Sequence, residues 1–230
     1  MVLLGRSREA LDDLVAELGR AAVQAHALPI DLADRDGGQL VDNKLSEIGV
    51  YCDVLVNSAG FGVFGAAAES NQEEHLKLID VNIRALTDLT LRFLPGMIAR
   101  GRGGVLNVGS ITGYAPGPNM STYYASKAYV RSFTAALAAE VSGTGVTVTC
   151  LSPGVVRTAF FERCAVGQTR LFKLAPRSNA PETAESGWRG FRAGKPLVIP
   201  RLVNRIIVAA SVLLPDAVLL RLISTLQRMS

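Results

Sequence analysis

Three side chains with the types and spacing for proton transfer stand mid-chain: Ser110 in Val-Gly-Ser-Ile-Thr-Gly, and Tyr123 and Lys127 in Tyr-Tyr-Ala-Ser-Lys. Residues four apart on a helix share a face, so the Lys127 ammonium can lie beside the Tyr123 phenol. A phenol with a pKa of about 10 exchanges protons poorly at neutral pH, and a nearby positive charge stabilises the phenolate and lowers that value. The pair therefore reads as a general acid or base, with Ser110 orienting the reacting oxygen.

The elements that must hold these residues show as alternating runs. Residues 1–4 read as a buried strand, and Gly5-Arg6-Ser7 turns into a helix with Leu11, Leu14, Val15 and Leu18 on its apolar face, ended by Gly19. Further strands are predicted over 23–30, 53–56, 104–108 and 146–151, with a polar helix over 39–48 and longer helices over 70–99 and 121–141. Ser70-Asn71-Gln72-Glu73 has the form of a capping box opening the first of these long helices. Continuous apolar strands alternating with helices predict an α/β fold with a parallel sheet covered on both faces. After Thr158 the pattern loosens into a loop over 159–180, a helix over 182–194 and a short strand over 197–199. Two apolar helices separated by Pro215 follow, the second with Leu219, Leu222, Ile223 and Leu226 on one stripe.

At 230 residues and 49% hydrophobic content, the chain is expected to form one domain with a sizeable core. Its net charge of +4 is uneven, because residues 157–230 hold twelve basic and four acidic side chains. No arginine-rich run with interleaved aromatics appears, which argues against a nucleic-acid partner. Cys52, Cys150 and Cys164 are widely spaced without a Cys-x-x-Cys pair, against a disulfide framework and a zinc site. That usage fits a reducing cytosol, and no secretion signal is seen, so a cytoplasmic location is expected. His26 and His75 read as surface or packing residues, and no metal is expected. The longest apolar run, residues 206–214, is far short of the roughly 20 residues needed to span a bilayer.

Several motifs besides the Ser-Tyr-Lys set stand in a recognisable order: Asp31 in Ile-Asp-Leu-Ala-Asp, Asn57-Ser58-Ala59-Gly60, Asn82 in Asp-Val-Asn-Ile, and Ser152-Pro153-Gly154 followed by Thr158. Together they resemble the short-chain dehydrogenase/reductase family of classical type over roughly residues 1–160. The likeness extends to a bacterial subgroup whose members end in a stretch like Lys195-Pro196-Leu197-Val198-Ile199-Pro200 and an arginine-dotted apolar tail. The resemblance implies a Rossmann-like doubly wound parallel sheet, with a substrate loop and helix over 158–195 and C-terminal helices over 201–230.

It also implies roles. Tyr123 is the proton donor to a carbonyl or the base toward an alcohol; Lys127 lowers its pKa and binds the nicotinamide ribose; Ser110 hydrogen-bonds the substrate oxygen; Asn82 holds a water in a proton relay. Tyr124, three residues from Lys127, does not match the family spacing. Asn57, Ala59 and Gly60 follow a strand end where ligands bind in open α/β sheets, or form an ordinary turn. Asp31 is expected on the adenine, or as a cap of the next segment. Pro153, Gly154 and Thr158 resemble a segment touching the nicotinamide carboxamide and phosphates. Arg6 stands where an NAD-specific relative places an acidic residue, which favours NADP(H) over NAD(H), with Ser7 and Arg8 as helpers.

The family's opening strand and glycine-rich turn, about 30 residues, have no counterpart in the chain. The expected fold therefore lacks the first strand and glycine-rich loop, and the sequence reads as incomplete or mis-started. The leading reading is an NADP(H)-dependent carbonyl reductase or alcohol dehydrogenase acting on a lipophilic small molecule, with Phe160, Phe161, Leu171, Phe172 and Leu174 toward the pocket. Its alternative is a cofactor-free binding or regulatory protein on the same scaffold. Isomerase or dehydratase chemistry is a third, weaker option. A homo-oligomer is a family expectation. The tail is read first as buried in the protein or in a dimer contact, with a peripheral anionic membrane surface as the other possibility.

Overall fold

A computed structural model describes residues 1–158, 160, 164 and 175–227. They form two compact units, Met1–Cys52 and Asp53–Ser230.

In the first unit, β1 (Val2–Gly5) and β2 (His26–Pro29) pair in parallel, with α1 (Arg8–Arg20) between them and α2 (Gly37–Glu47) after them. Ser7 caps α1 by accepting from the Ala10 N–H at 3.2 Å, a contact of about 1 kcal/mol. The helix runs through Gly19 rather than stopping there. Its end is made by Ala22, whose φ of 58° is left-handed, so that the Val23 N–H reaches back to the Leu18 carbonyl.

The second unit is built on a four-stranded parallel sheet in the order β3-β4-β5-β8. These are Val54–Asn57, Gly103–Val108, Val146–Leu151 and Leu197–Val198. A small parallel pair, β6 (Val155–Val156) with β7 (Arg177–Ser178), was not foreseen from the sequence. Strand β3 departs from the two-faced burial expected: Leu55 and Asn57 are buried, while Val54 and Val56 are exposed.

The long helix expected over 70–99 is three pieces: α3 (Gln72–Ile79), a π-helical stretch (Asp80–Ala85) and α4 (Leu86–Arg100). Its cap is Asn71, which accepts from the Glu73 N–H, while Ser70 instead donates to the Ala66 carbonyl. Glu73 and Glu74 favour the positive end of the helix dipole, and Gly101 closes α4 with a left-handed φ of 66°. Helix α5 (Ser121–Glu140) lies against β5 and against the short 3-10 turn Ile111–Tyr114. The interior holds Leu78, Met97, Val105 and Val130, all fully buried.

Three more helices follow: α6 (Ala180–Arg192), capped by Asn179, then α7 (Leu202–Leu213) and α8 (Asp216–Leu226). In α8, Leu219 is buried and Ile223 and Leu226 are half-buried, but Leu222 faces outward, so the predicted stripe is narrower by one residue. The tail is buried in the protein only in part: Asn204, Val208, Leu219 and Gln227 are buried, while Leu202, Ile206, Val212 and Leu213 are exposed.

Candidate active site

Parallel strands deliver their C-terminal ends to one edge of the sheet, where loops leave room for a ligand. Ser110 follows β4 there, and Gly109 N–H bonds to the Leu151 carbonyl of β5, which fixes the backbone just before it. The Ile111–Tyr114 turn then presses onto α5. A Cβ at Gly113 would sit 2.6 Å from the Lys127 carbonyl oxygen, so only glycine permits that approach.

Ser110, Tyr123 and Lys127 are all buried. Lys127 donates from Nζ to the Val108 carbonyl at 2.8 Å, and this Nζ lies 5.8 Å from the centre of the Tyr123 ring. The sequence-predicted trio is thus brought together by β4 and one face of α5.

The electrostatics differ from the expectation. Burial raises the Tyr123 phenol well above its ordinary value, and the hydrogen bond with Ser110 only partly opposes this. Burial likewise lowers the Lys127 ammonium to about 8, against a smaller raising effect from Cys150. Desolvation penalises the charged form of each group and outweighs the opposing contributions of Ser110 and Cys150. In this arrangement Tyr123 is held as a neutral phenol, a proton donor rather than a ready base.

Asn82 sits in the π-helical stretch, 1% exposed, and its side chain is committed to protein partners. Its Oδ1 accepts from the Phe61 N–H at 3.1 Å, while Nδ2 donates to the Phe61 carbonyl at 3.0 Å and to Ser126 Oγ at 3.1 Å. Ser126 in turn donates to the Tyr123 carbonyl at 2.7 Å. Asn82 therefore pins the loop after β3 to the helix bearing Tyr123. The π geometry at this point matches the tendency of such distortions to mark functional sites.

Gly60 completes this corner. A Cβ there would lie 3.0 Å from Asn82 Oδ1 and 3.8 Å from Lys127 Nζ. Ala59 and Gly60 are exposed, leaving bare backbone beside the lysine, the kind of cradle that a nicotinamide cofactor requires. Asn57 turns the other way. It is buried and donates to Thr90 Oγ1 at 3.0 Å and to Asn107 Oδ1 at 2.8 Å, and Asn107 donates onward to Thr134 Oγ1 at 3.0 Å. This row locks β3 and β4 to α4 and α5. The sequence reading missed Thr90, Asn107 and Thr134; an asparagine inside the apolar run Gly-Gly-Val-Leu-Asn-Val was the available signal.

The remaining residues are more dispersed. The Pro153 carbonyl accepts from the Ile111 N–H at 3.0 Å, and a Cβ at Gly154 would meet Asn204 Oδ1 at 2.6 Å, so both also serve packing. Thr158 is exposed and lies 3.4 Å from the Phe160 N–H. In the first unit, Asp31 Oδ1 accepts from the Ala33 N–H two residues on, an Asx-type turn, while α2 begins only after Asp36. Arg6 is exposed after β1, while Ser7 is spent as a cap and Arg8 pairs with Asp12 at 2.9 Å.

The Tyr123 phenol sits in an apolar surround that the sequence only hinted at. Val63, Met120, Tyr124 and Cys164 are buried with it, and Phe61, Phe64 and Phe160 pack against that cluster. The Phe160 ring stands 5.4 Å from that of Tyr123. The other foreseen pocket residues, Phe161, Leu171, Phe172 and Leu174, lie outside the described residues. Tyr124 points away into a bond with Gln227 of the C-terminal end, whose Nε2 donates to its hydroxyl at 3.4 Å.

This geometry agrees with the chain's likeness to known proteins. It is 36% identical over 162 residues to sulfoacetaldehyde reductase 2 of Chromohalobacter salexigens, a match covering 70% of this chain and 64% of that protein. It is 34% identical over 157 residues to the NADP-dependent 3-hydroxy acid dehydrogenase YdfG of Salmonella typhi, covering 68% and 62%. The chain thus spans less than two thirds of these curated relatives. Among solved structures, a short-chain dehydrogenase from Sphingobium yanoikuyae in complex with NADPH superposes with a TM-score of 0.80 at 29% identity, covering 91% of this chain and 82% of that one. A 7beta-hydroxysteroid dehydrogenase, at 23% identity and a TM-score of 0.84, covers 97% and 86% and shares the fold. The short chain dehydrogenase family model matches residues 1–167. With that match over most of its length, and with the sheet, the π-helical asparagine and the Ser-Tyr-Lys corner in place, the chain belongs to the short chain dehydrogenase family.

Proposed function

We propose that the protein is an NADP(H)-dependent oxidoreductase that interconverts a carbonyl and an alcohol on a lipophilic small molecule. The observation that carries this reading is a buried, neutral Tyr123 phenol beside Ser110 and Lys127, with apolar side chains around it. A bound nicotinamide supplies the hydride. In the reducing direction, Tyr123 gives its proton to the substrate oxygen as charge develops there, and the Ser110 hydroxyl donates a hydrogen bond to the same atom. The phenolate that remains is stabilised by the Lys127 ammonium. In the reverse direction the phenolate takes the alcohol proton.

Lys127, Ala59 and Gly60 are the residues suited to hold the nicotinamide end, with Pro153, Gly154 and Thr158 as further candidates. Arg6 supports NADP(H), because a cation at that strand end suits the additional phosphate better than an acidic side chain would. Asn82 is assigned as the positioning residue of the corner. Val63, Met120 and Phe160 favour a lipophilic substrate. The reading includes a cytoplasmic location and a homo-oligomer, the latter as an expectation from the family.

The test is fluorescence titration with NADPH, followed by NADPH consumption with a panel of aliphatic and aromatic ketones and aldehydes. It is run on this chain and on a version extended upstream to any in-frame glycine-rich segment. Binding with turnover that Tyr123→Phe removes supports the reading. Absence of NADPH binding by both forms sinks it and leaves the cofactor-free scaffold in front.

A further inference from the structure

Helices α7 and α8 present an outward face of the wrong composition for water. On α7, Asn204 and Val208 are buried, with Asn204 seated against Gly154, and Val203 is half-buried. The opposite side carries Leu202 at 70% exposure, Ile206 at 60% and Leu213 at 83%, with Ala209 between them and Val212 alongside. These recur at helical spacing, so they form a stripe along the helix. After Pro215, α8 adds exposed Val218, Leu220 and Leu222, while its buried Leu219 and the adjoining Gln227 face inward.

The charges on these two helices are nearly all of one sign. Arg201, Arg205 and Arg221 stand along them, and Asp216 is the one acidic residue between 201 and 227. Arg201 donates to the Arg177 carbonyl and Arg205 to the Ile199 carbonyl. Those bonds orient the guanidinium groups without neutralising them.

We propose that the exposed faces of α7 and α8 are a peripheral membrane-binding surface for anionic lipid headgroups. At twelve and eleven residues, the helices are too short to cross a bilayer, and no described helix is long and apolar enough to do so. Lying in the interface plane suits them: the leucine, isoleucine and valine side chains enter the acyl boundary while the arginines meet phosphate groups. Charge selects this occupant over a second copy of the chain. A two-fold contact sets the same patch against itself, which brings arginine toward arginine with little acid to compensate. An anionic surface has the complementary sign.

The experiment is co-sedimentation of the full chain with phosphatidylcholine vesicles and with mixed phosphatidylglycerol–phosphatidylcholine vesicles. Binding is expected to the mixed vesicles only, weakening as salt is added. Arg205→Gln with Arg221→Gln is expected to lower the partition coefficient by about five-fold per arginine. Ile206→Ser with Leu213→Ser is expected to remove binding, and the exposed positions of both make an unchanged thermal melt the control for folding. Failure to bind mixed vesicles, equal binding to both vesicle types, or binding insensitive to the arginine pair overturns the proposal. So does an Ile206→Ser, Leu213→Ser variant that changes the sedimentation coefficient of the free protein while vesicle binding persists unaltered. None of these readouts depends on turnover, so the proposal stands or falls separately from the oxidoreductase reading.

Discussion

The second unit breaks the usual sorting of side chains in two opposite directions. Around β3, β4 and α5 it buries polar groups: Asn57, Asn82, Asn107, Thr134 and Lys127. On α7 and α8 it exposes apolar ones. The two departures have different physical supports. Each buried amide is matched by partners at 2.8–3.1 Å, so the desolvation cost of the asparagines is offset bond by bond. The exposed apolar side chains of α7 and α8 have no such compensation within the described residues, and their cost persists until something covers them. Internal pairing marks a region built to hold a geometry, and the uncovered apolar area is where the proposed membrane contact would act.

This contrast can be broken most severely at the site. Tyr123→Phe removes the proton donor but keeps the ring among Val63, Met120 and Phe160, so turnover with NADPH should fall by about a thousand-fold while the melting temperature holds. A variant retaining full turnover would remove Tyr123 from the chemistry.

Lys127 is the buried charge without full repayment. Its folded value of about 8 lies below the unfolded one, so the unfolded chain binds more protons between pH 8 and 10.5 and stability contributed by this group rises with pH there. Below pH 8 the burial cost is fully present. Lys127→Met should therefore stabilise the fold at pH 7 by about 2 kcal/mol, after loss of the Val108 bond, and that advantage should vanish by pH 10.5. Denaturant titrations at both pH values check this. Wild-type turnover should decline as pH rises through about 8, because the ammonium that steadies the phenolate is lost.

Asn107→Ala tests the paired row. It takes one partner each from the Asn57 amide, which keeps Thr90, and the Thr134 hydroxyl, which keeps the Val130 carbonyl, with an expected loss of about 2 kcal/mol. A loss under 1 kcal/mol in a denaturant titration would mean that water or rearrangement satisfies them. At the other extreme, Leu213→Ser touches a side chain that is 83% exposed, and its effect on folding free energy should stay within about 0.5 kcal/mol.

What could be read in the sequence follows the range of the interactions. Tyr123 and Lys127 were legible because helix geometry alone joins positions four apart. The strands at 103–108 and 146–151 were legible because each is a short run rich in valine, leucine and threonine beside turn glycines. Helix punctuation was less secure. Gly19 looked like a stop, yet Ala22 makes the turn, and Ser70 looked like a cap, yet Asn71 does the capping; in each case neighbouring residues offer nearly equal local solutions. Asn82 gave a hint, as a poor helix former within a helical pattern, but not the π-helical stretch around it.

The sequence by itself determined the parallel α/β class, the Ser-Tyr-Lys trio and the basic, apolar character of the tail, because these rest on periodicity, local spacing and composition. Only the tertiary structure decided which way each side chain's energy runs. It turned Asn57 into a lock between strands and helices, spent Asn82 on the backbone of Phe61, raised Tyr123 by burial where a neighbouring charge alone would lower it, and left the stripe of α7 facing out. Desolvation and long-range hydrogen bonding depend on which distant elements close over a residue, and no local pattern in the chain records that.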